Sequence, residues 1–184
     1  MATPTTLPST FTAGQVLTAA QMNNLRGAFR ILQVVSTVKS DAFSSTSTTL
    51  TDITGLSVSI TPSATSNKVL VFYSVAGSIE TLDRIAMFSL LRGSTEINIG
   101  DAAGSRSRAS FSWTVPNAVG NDALAFTHAN AFLDSPATTS ATTYKIQGRI
   151  NVAGTFTVNR QGFDSNAATI PRFVSSITAF EVSA

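Results

Sequence analysis

Catalysis needs groups that converge, and this chain offers few: one histidine, His128, ten carboxylates and no cysteine. Without cysteine there is no thiolate nucleophile, no disulfide and no thiolate metal site. The common nucleophile and base pairs reduce to His128 with one of many serines. Its neighbours Thr127 and Ala129 form no nucleophile elbow. His128 also falls within the alternation Leu124, Phe126, His128, Asn130, Phe132, which reads as a packed or intersubunit histidine. Two carboxylates facing each other across a cleft would suit glycoside hydrolysis, but nearly all the acids from Asp41 to Glu181 fall at expected turns and strand ends, as in any β protein. Glu80 and Asp83 beside Arg84 read as a solvated local ion pair. There is no glycine-rich phosphate loop, no HExxH and no calcium-loop spacing. The expectation is a non-enzyme with no cofactor and no metal.

Charge is sparse. Twelve Lys and Arg against ten Asp and Glu give a formal net charge of +2, and only 12% of residues are charged while 43% are apolar. The polar surface must therefore be built from hydroxyls and amides. Basic residues are spread from Arg26 to Arg172 instead of clustering with aromatics, so no nucleic-acid partner is expected. Arg106 and Arg108, one residue apart, share a side of a strand or loop; they read as a solvated or intersubunit pair in preference to a phosphate site. No run approaches the roughly 20 apolar residues that span a bilayer, and the start MATPTTLPSTF lacks the basic and apolar parts of a secretion signal. Neither membrane insertion nor secretion is expected.

The elements that must carry these residues are strands. Residues 56–79, LSVSITPSATSNKVLVFYSVAGSI, hold an alternating segment, a polar turn and an almost unbroken apolar run. This reads as a central β-hairpin whose second strand, 68–75, is covered on both faces. Residues 84–91 and 96–99 flank Arg92-Gly93-Ser94-Thr95 as a second hairpin. Phe111, Trp113 and Val115 alternate with small polar residues, which places Trp113 in the core. Further strands are expected around 124–132, 144–152, 155–160 and 173–182, with Tyr144, Ile146, Phe156 and Val158 facing inward. Residues 40–51 read as a loop or weak edge strand anchored by Phe43. About nine or ten strands with no helix between them imply an all-β antiparallel fold, a jelly-roll-like β-sandwich.

The N-terminal part differs. Pro4 and Pro8 disfavour regular structure over residues 1–13, predicting an extended arm. Thr18 with Gln21 makes a capping-box pattern, and Leu25, Ala28, Phe29 and Leu32 recur at helical spacing, predicting a helix over 18–30. So short a helix needs a partner, either its own sandwich or other copies and other proteins. The division expected is residues 1–32 as arm and helix, for attachment or oligomerisation, and 33–184 as head.

Residues 11–25, FTAGQVLTAAQMNNL, resemble the N-terminal segment common in tail-fibre and other appendage proteins of tailed bacteriophages. The stretches YKIQ at 144–147, GTFTVNR at 154–160 and ITAFEV at 177–182 resemble the closing strands of the β-sandwich heads of phage structural proteins. The resemblance implies a homotrimeric virion protein, assembled in the host cytoplasm, joined by its N-terminal segment to other virion proteins of tail or capsid. Docking and oligomerisation then fall to Phe11, Val16, Leu17, Met22, Leu25, Phe29 and Leu32. Outward loops would carry Asp101, Arg106, Arg108, Asn117, Asn121, Asp164 and Asn166 toward a host surface glycan or protein. The chain departs from receptor-binding fibres in lacking a long shaft, which leaves a capsid decoration protein as an alternative. A carbohydrate-binding module with Trp113 or Tyr144 as platform is a further alternative, although alternation turns both rings inward.

Overall fold

A computed structural model describes residues 13, 14, 16, 31–116 and 124–183. The helix expected over 18–30 lies outside them. Among the described residues the chain forms eleven strands and no helix. They are β1 (Ile31–Lys39), β2 (Phe43–Ser45), β3 (Thr51–Ile60), β4 (Lys68–Ile79), β5 (Arg84–Arg92), β6 (Thr95–Ile97), β7 (Phe111–Val115), β8 (Phe126–Asp134), β9 (Thr142–Ile150), β10 (Phe156–Val158) and β11 (Ser175–Val182).

All the pairings are antiparallel and fall into two sheets. In the first, β4 has β8 along one edge and the collinear pair β11 and β10 along the other; β1 pairs with β11 and β2 with β10. In the second the order is β3-β9-β5, with β7 and β6 collinear along the far edge of β5. The sheets share one core. Val69, Val71, Tyr73 and Ile177 from the first meet Phe88, Trp113, Tyr144 and Ile146 from the second. Phe88 sits edge-on to Phe156 at 5.3 Å and Tyr73 stacks on Phe111 at 6.0 Å, so aromatic contacts join the layers directly.

The alternation over 111–115 is borne out, with Trp113 buried, as is the turn at Gly93, whose φ of 60° suits a residue without Cβ. Phe43 anchors the short β2 by packing 6.2 Å from Phe156. The central hairpin is not formed. β3 and β4 belong to different sheets, so residues 61–67 carry the chain across the core as an arch. The arch is fixed by Glu181 of β11, whose Oε1 accepts hydrogen bonds from the Ser63 amide, the Ser63 hydroxyl and Asn67 Nδ2 at 2.6 to 2.7 Å. A seven-residue polar turn allows either outcome, and the tertiary tie selects the arch.

The expectation that β4 is covered on both faces holds only in part. Its end, residues 75–79, is buried throughout, whereas Phe72 lies 46% exposed on the outer face. Nor do Glu80 and Arg84 pair locally. Glu80 pairs with Arg160, and Arg84 Nε donates to the Ala153 carbonyl at 2.9 Å.

Candidate functional site

The outer faces of the two sheets differ in chemistry. On the first sheet, the register lines up three rows across four strands. Val34, Phe180, Leu70 and Leu133 form one row; Ser36, Thr178, Phe72 and Ala131 the next; Val38, Ser176, Ser74 and Ala129 the third. No charged side chain interrupts these rows. Lys68 stands at one end, donating to the Ser135 hydroxyl at 2.7 Å. Val34, Val38, Phe72 and Leu133 are each about half exposed or more, and Phe72 meets Phe180 edge-on at 5.6 Å. A groove of about 400 Å³ runs beside Phe72, lined by Ser74, Ala129, Ala131, Ser176 and Thr178. Such a patch is the kind of surface that marks an interaction site on a soluble protein.

The second sheet turns charged residues outward. Lys145 of β9 pairs with Asp52 of β3 at 2.8 Å, and Gln147 Nε2 donates to the same carboxylate at 2.7 Å. The Lys145 and Gln147 bonds together hold the Asp52 carboxyl below its ordinary range. Arg149 points the same way from the next outward position on β9.

Several buried polar groups tie strands together. Asp134, at the end of β8, accepts from Arg92 Nη1 at 2.9 Å and from the Tyr144 hydroxyl at 2.6 Å, joining the two sheets. Burial and then the Asp134 bond push the Tyr144 hydroxyl well above its ordinary value. Burial would raise Glu181, but the bonds from Ser63 and Asn67 outweigh it and leave its carboxyl below the usual range. His128 stacks on Phe111 at 4.2 Å and 8°, and burial lowers its pKa. Its Nε2 is buried and without a hydrogen-bond partner among the described residues.

Of the residues expected to dock, Phe11, Leu17, Met22, Leu25 and Phe29 lie outside the described residues, as do Asn117 and Asn121 on the loop side. Val16 is exposed, and Leu32 is partly exposed at the start of β1, next to the apolar face. Asp101, Arg106 and Arg108 stand exposed on the excursion 98–110 between β6 and β7. Asp164 and Asn166 stand on the excursion 159–174 between β10 and β11. The two excursions leave different sheets. Asp164 is engaged with Arg172 at 3.0 Å and with Arg160, so it holds its own loop together. Trp113 and Tyr144 are buried, and neither ring can serve as a carbohydrate platform. The apolar face itself was not among the expected site residues; its sequence signal was the unbroken run through 69–73, read there as interior.

Among the described residues no group of histidine and acidic side chains could hold a metal ion, and no helix is long and apolar enough to cross a membrane. No protein-family model matches the chain, and no curated protein is similar to it.

Proposed function

We propose that this chain is a non-enzymatic structural protein of a tailed-phage virion, a short tail-fibre-like appendage. Residues 1–32 dock and oligomerise it, and residues 33–184 form a jelly-roll-like β-sandwich head. The strand orders support the jelly-roll reading: β1-β11-β4-β8 in one sheet and β3-β9-β5-β7 in the other alternate between layers as two nested Greek keys do. The N-terminal resemblance supports the virion assignment.

One observation carries the assembly reading. A face of Val34, Val38, Leu70, Phe72, Leu133 and Phe180 with no charge among them has no role in a lone soluble domain. Its occupant is a neighbouring copy of the same chain in a homotrimer. A second copy meets no unpaired charge there, so association costs no buried ion. With strands about 4.8 Å apart, the three rows span roughly 400 Å². A stable interface buries about 800 Å² on each partner. The shortfall matches a further contribution from residues 1–30, which join β1 at Ile31, at the corner of this face.

The test is the mass of the full-length protein by light scattering, beside Phe72→Lys. The expected result is a trimer that falls to a monomer in the variant, because three lysines would have to be buried in the assembly. A monomeric parent protein, or a variant with unchanged mass, overturns the assembly reading.

A further inference from the structure

Arg149 does not stand alone on its sheet. It shares an open cleft of about 520 Å³ with Arg106 and Arg108, which reach it from the excursion 98–110, and with Thr48 and Thr49 from the stretch before β3. Arg92, Arg160 and Arg172 all form ion pairs; Arg106, Arg108 and Arg149 form none with any described carboxylate. The one acid lining the cleft, Glu96, accepts the Ser89 hydroxyl at 2.6 Å. Three guanidinium groups thus face one carboxylate in a protein whose whole formal charge is +2.

The walls are built from fixed backbone. Arg108 Nε donates to the Gly100 carbonyl at 2.6 Å, and the Gly100 amide to Ala109 at 3.3 Å, closing the base of the excursion. On the other side the Ile150 amide donates to the Ser47 carbonyl at 2.8 Å, and Ser47 Oγ to the Thr49 carbonyl at 2.7 Å. Three like charges gathered on fixed walls with one carboxylate among them repel one another, and an anion relieves that repulsion.

We infer that this cleft binds the acidic group of an anionic saccharide. Guanidinium forks match the geometry of carboxylate and phosphate oxygens, and the Thr48 and Thr49 hydroxyls can donate to and accept from sugar hydroxyls. The remaining lining, Leu50 and Ile99, is aliphatic. Nucleic acid is disfavoured because its bases bind by stacking on aromatic side chains, and none lines the cleft. The volume lies within the range of ordinary small-ligand sites and has room for one or two sugar rings. That the saccharide belongs to a host surface rests on the attachment role proposed above; the binding chemistry does not.

The experiment is titration of the full-length protein with polygalacturonate, with neutral dextran as control and inorganic phosphate as competitor. Arg149→Gln and Arg106→Gln are each expected to weaken polygalacturonate binding about tenfold. The Arg149 side chain makes no hydrogen bond among the described residues, and Arg106 lies on an exposed loop, so neither variant removes a core contact. Lys145→Gln, a cation on the same strand already paired with Asp52, is expected to bind as the parent does. Competition by phosphate together with weak direct phosphate binding would show that the anion is read in its saccharide setting. The inference is overturned if the parent protein ignores polygalacturonate, if dextran binds equally, if both arginine variants bind unchanged, or if Lys145→Gln loses as much. Because binding is read on the isolated protein, a monomer that binds polygalacturonate through these arginines would keep this inference and lose the appendage reading. A trimer that ignores polygalacturonate would do the reverse.

Discussion

At the residue scale, buried polar groups tie strands together, and Glu181 is the clearest case. It is almost fully buried, yet its carboxyl is held below the ordinary range because Ser63 and Asn67 place three donors on one oxygen. The sign of its pH dependence follows. An unfolded glutamate takes up a proton near pH 4.3, while the folded one resists until lower pH. The contribution is therefore complete above the unfolded value and lost as pH falls through the folded one. Glu181→Gln should reduce stability by about 1–3 kcal/mol at neutral pH and flatten the loss that sets in as pH falls below the unfolded value. Urea unfolding at a series of pH values checks this; an unchanged acid limb in the variant would assign the acid sensitivity to other groups. The sequence marked Glu181 only as an acid near the end of a strand, because the donors that define it lie more than a hundred positions earlier.

At the element scale, both sheets use the same device, a strand line broken in the middle by an excursion that returns to the same line. β10 and β11 both pair with β4, opposite 77–79 and 68–74, and residues 159–174 leave and return between them. Asn159 sits at the base of that departure. It adopts a φ of 63°, donates from Nδ2 to the Lys39 and Asp41 carbonyls at 2.8 and 2.9 Å, and accepts from the Ser175 hydroxyl at 2.6 Å. One buried side chain thus joins the β1–β2 bend to the ends of β10 and β11. Asn159→Ala leaves a buried carbonyl, a part-buried carbonyl and a hydroxyl without that partner and keeps a left-handed conformation that alanine disfavours. The expected cost is about 2–4 kcal/mol, with faster proteolysis inside 161–171. Asn159→Gly removes the backbone penalty only, so a similar loss there would assign most of the cost to the hydrogen bonds. Full recovery in the glycine variant would put it in the backbone. Alternation made Trp113, Tyr144 and Phe156 legible as core, since a period of two is a local property of the chain. Whether two neighbouring strands pair or part between sheets is not local, which is why 56–79 read as a hairpin and folds as an arch.

At the scale of the whole molecule, the apolar run of β4 is a strand as expected, but among the described residues its outer face at Phe72 is not covered. Phe72 and its neighbours look outward over a face without charge, while the opposite sheet turns Asp52, Lys145 and Arg149 to water. Arg149 and the pair Arg106 and Arg108 are some forty positions apart, so no reading of spacing could bring them to one cleft. The asymmetry of the two faces gives the proposed oligomer an orientation, with the apolar sheet toward the neighbouring copy and the arginine cleft away from it. It also separates two contributions that truncation can resolve. The apolar face alone offers roughly half the area of a stable interface, so in the proposed oligomer the N-terminal segment supplies the rest. Removing the first 17 residues spares the stretch with Met22, Leu25 and Phe29, and should leave a folded oligomer that no longer joins particles. A chain beginning at Gln33 loses that stretch as well and should be a folded monomer by light scattering at micromolar concentration. If the shorter chain keeps the mass of the parent oligomer, the face is sufficient by itself and residues 18–32 serve attachment only. If the first truncation already dissociates the oligomer, the extended arm, and not the stretch that follows it, holds the copies together.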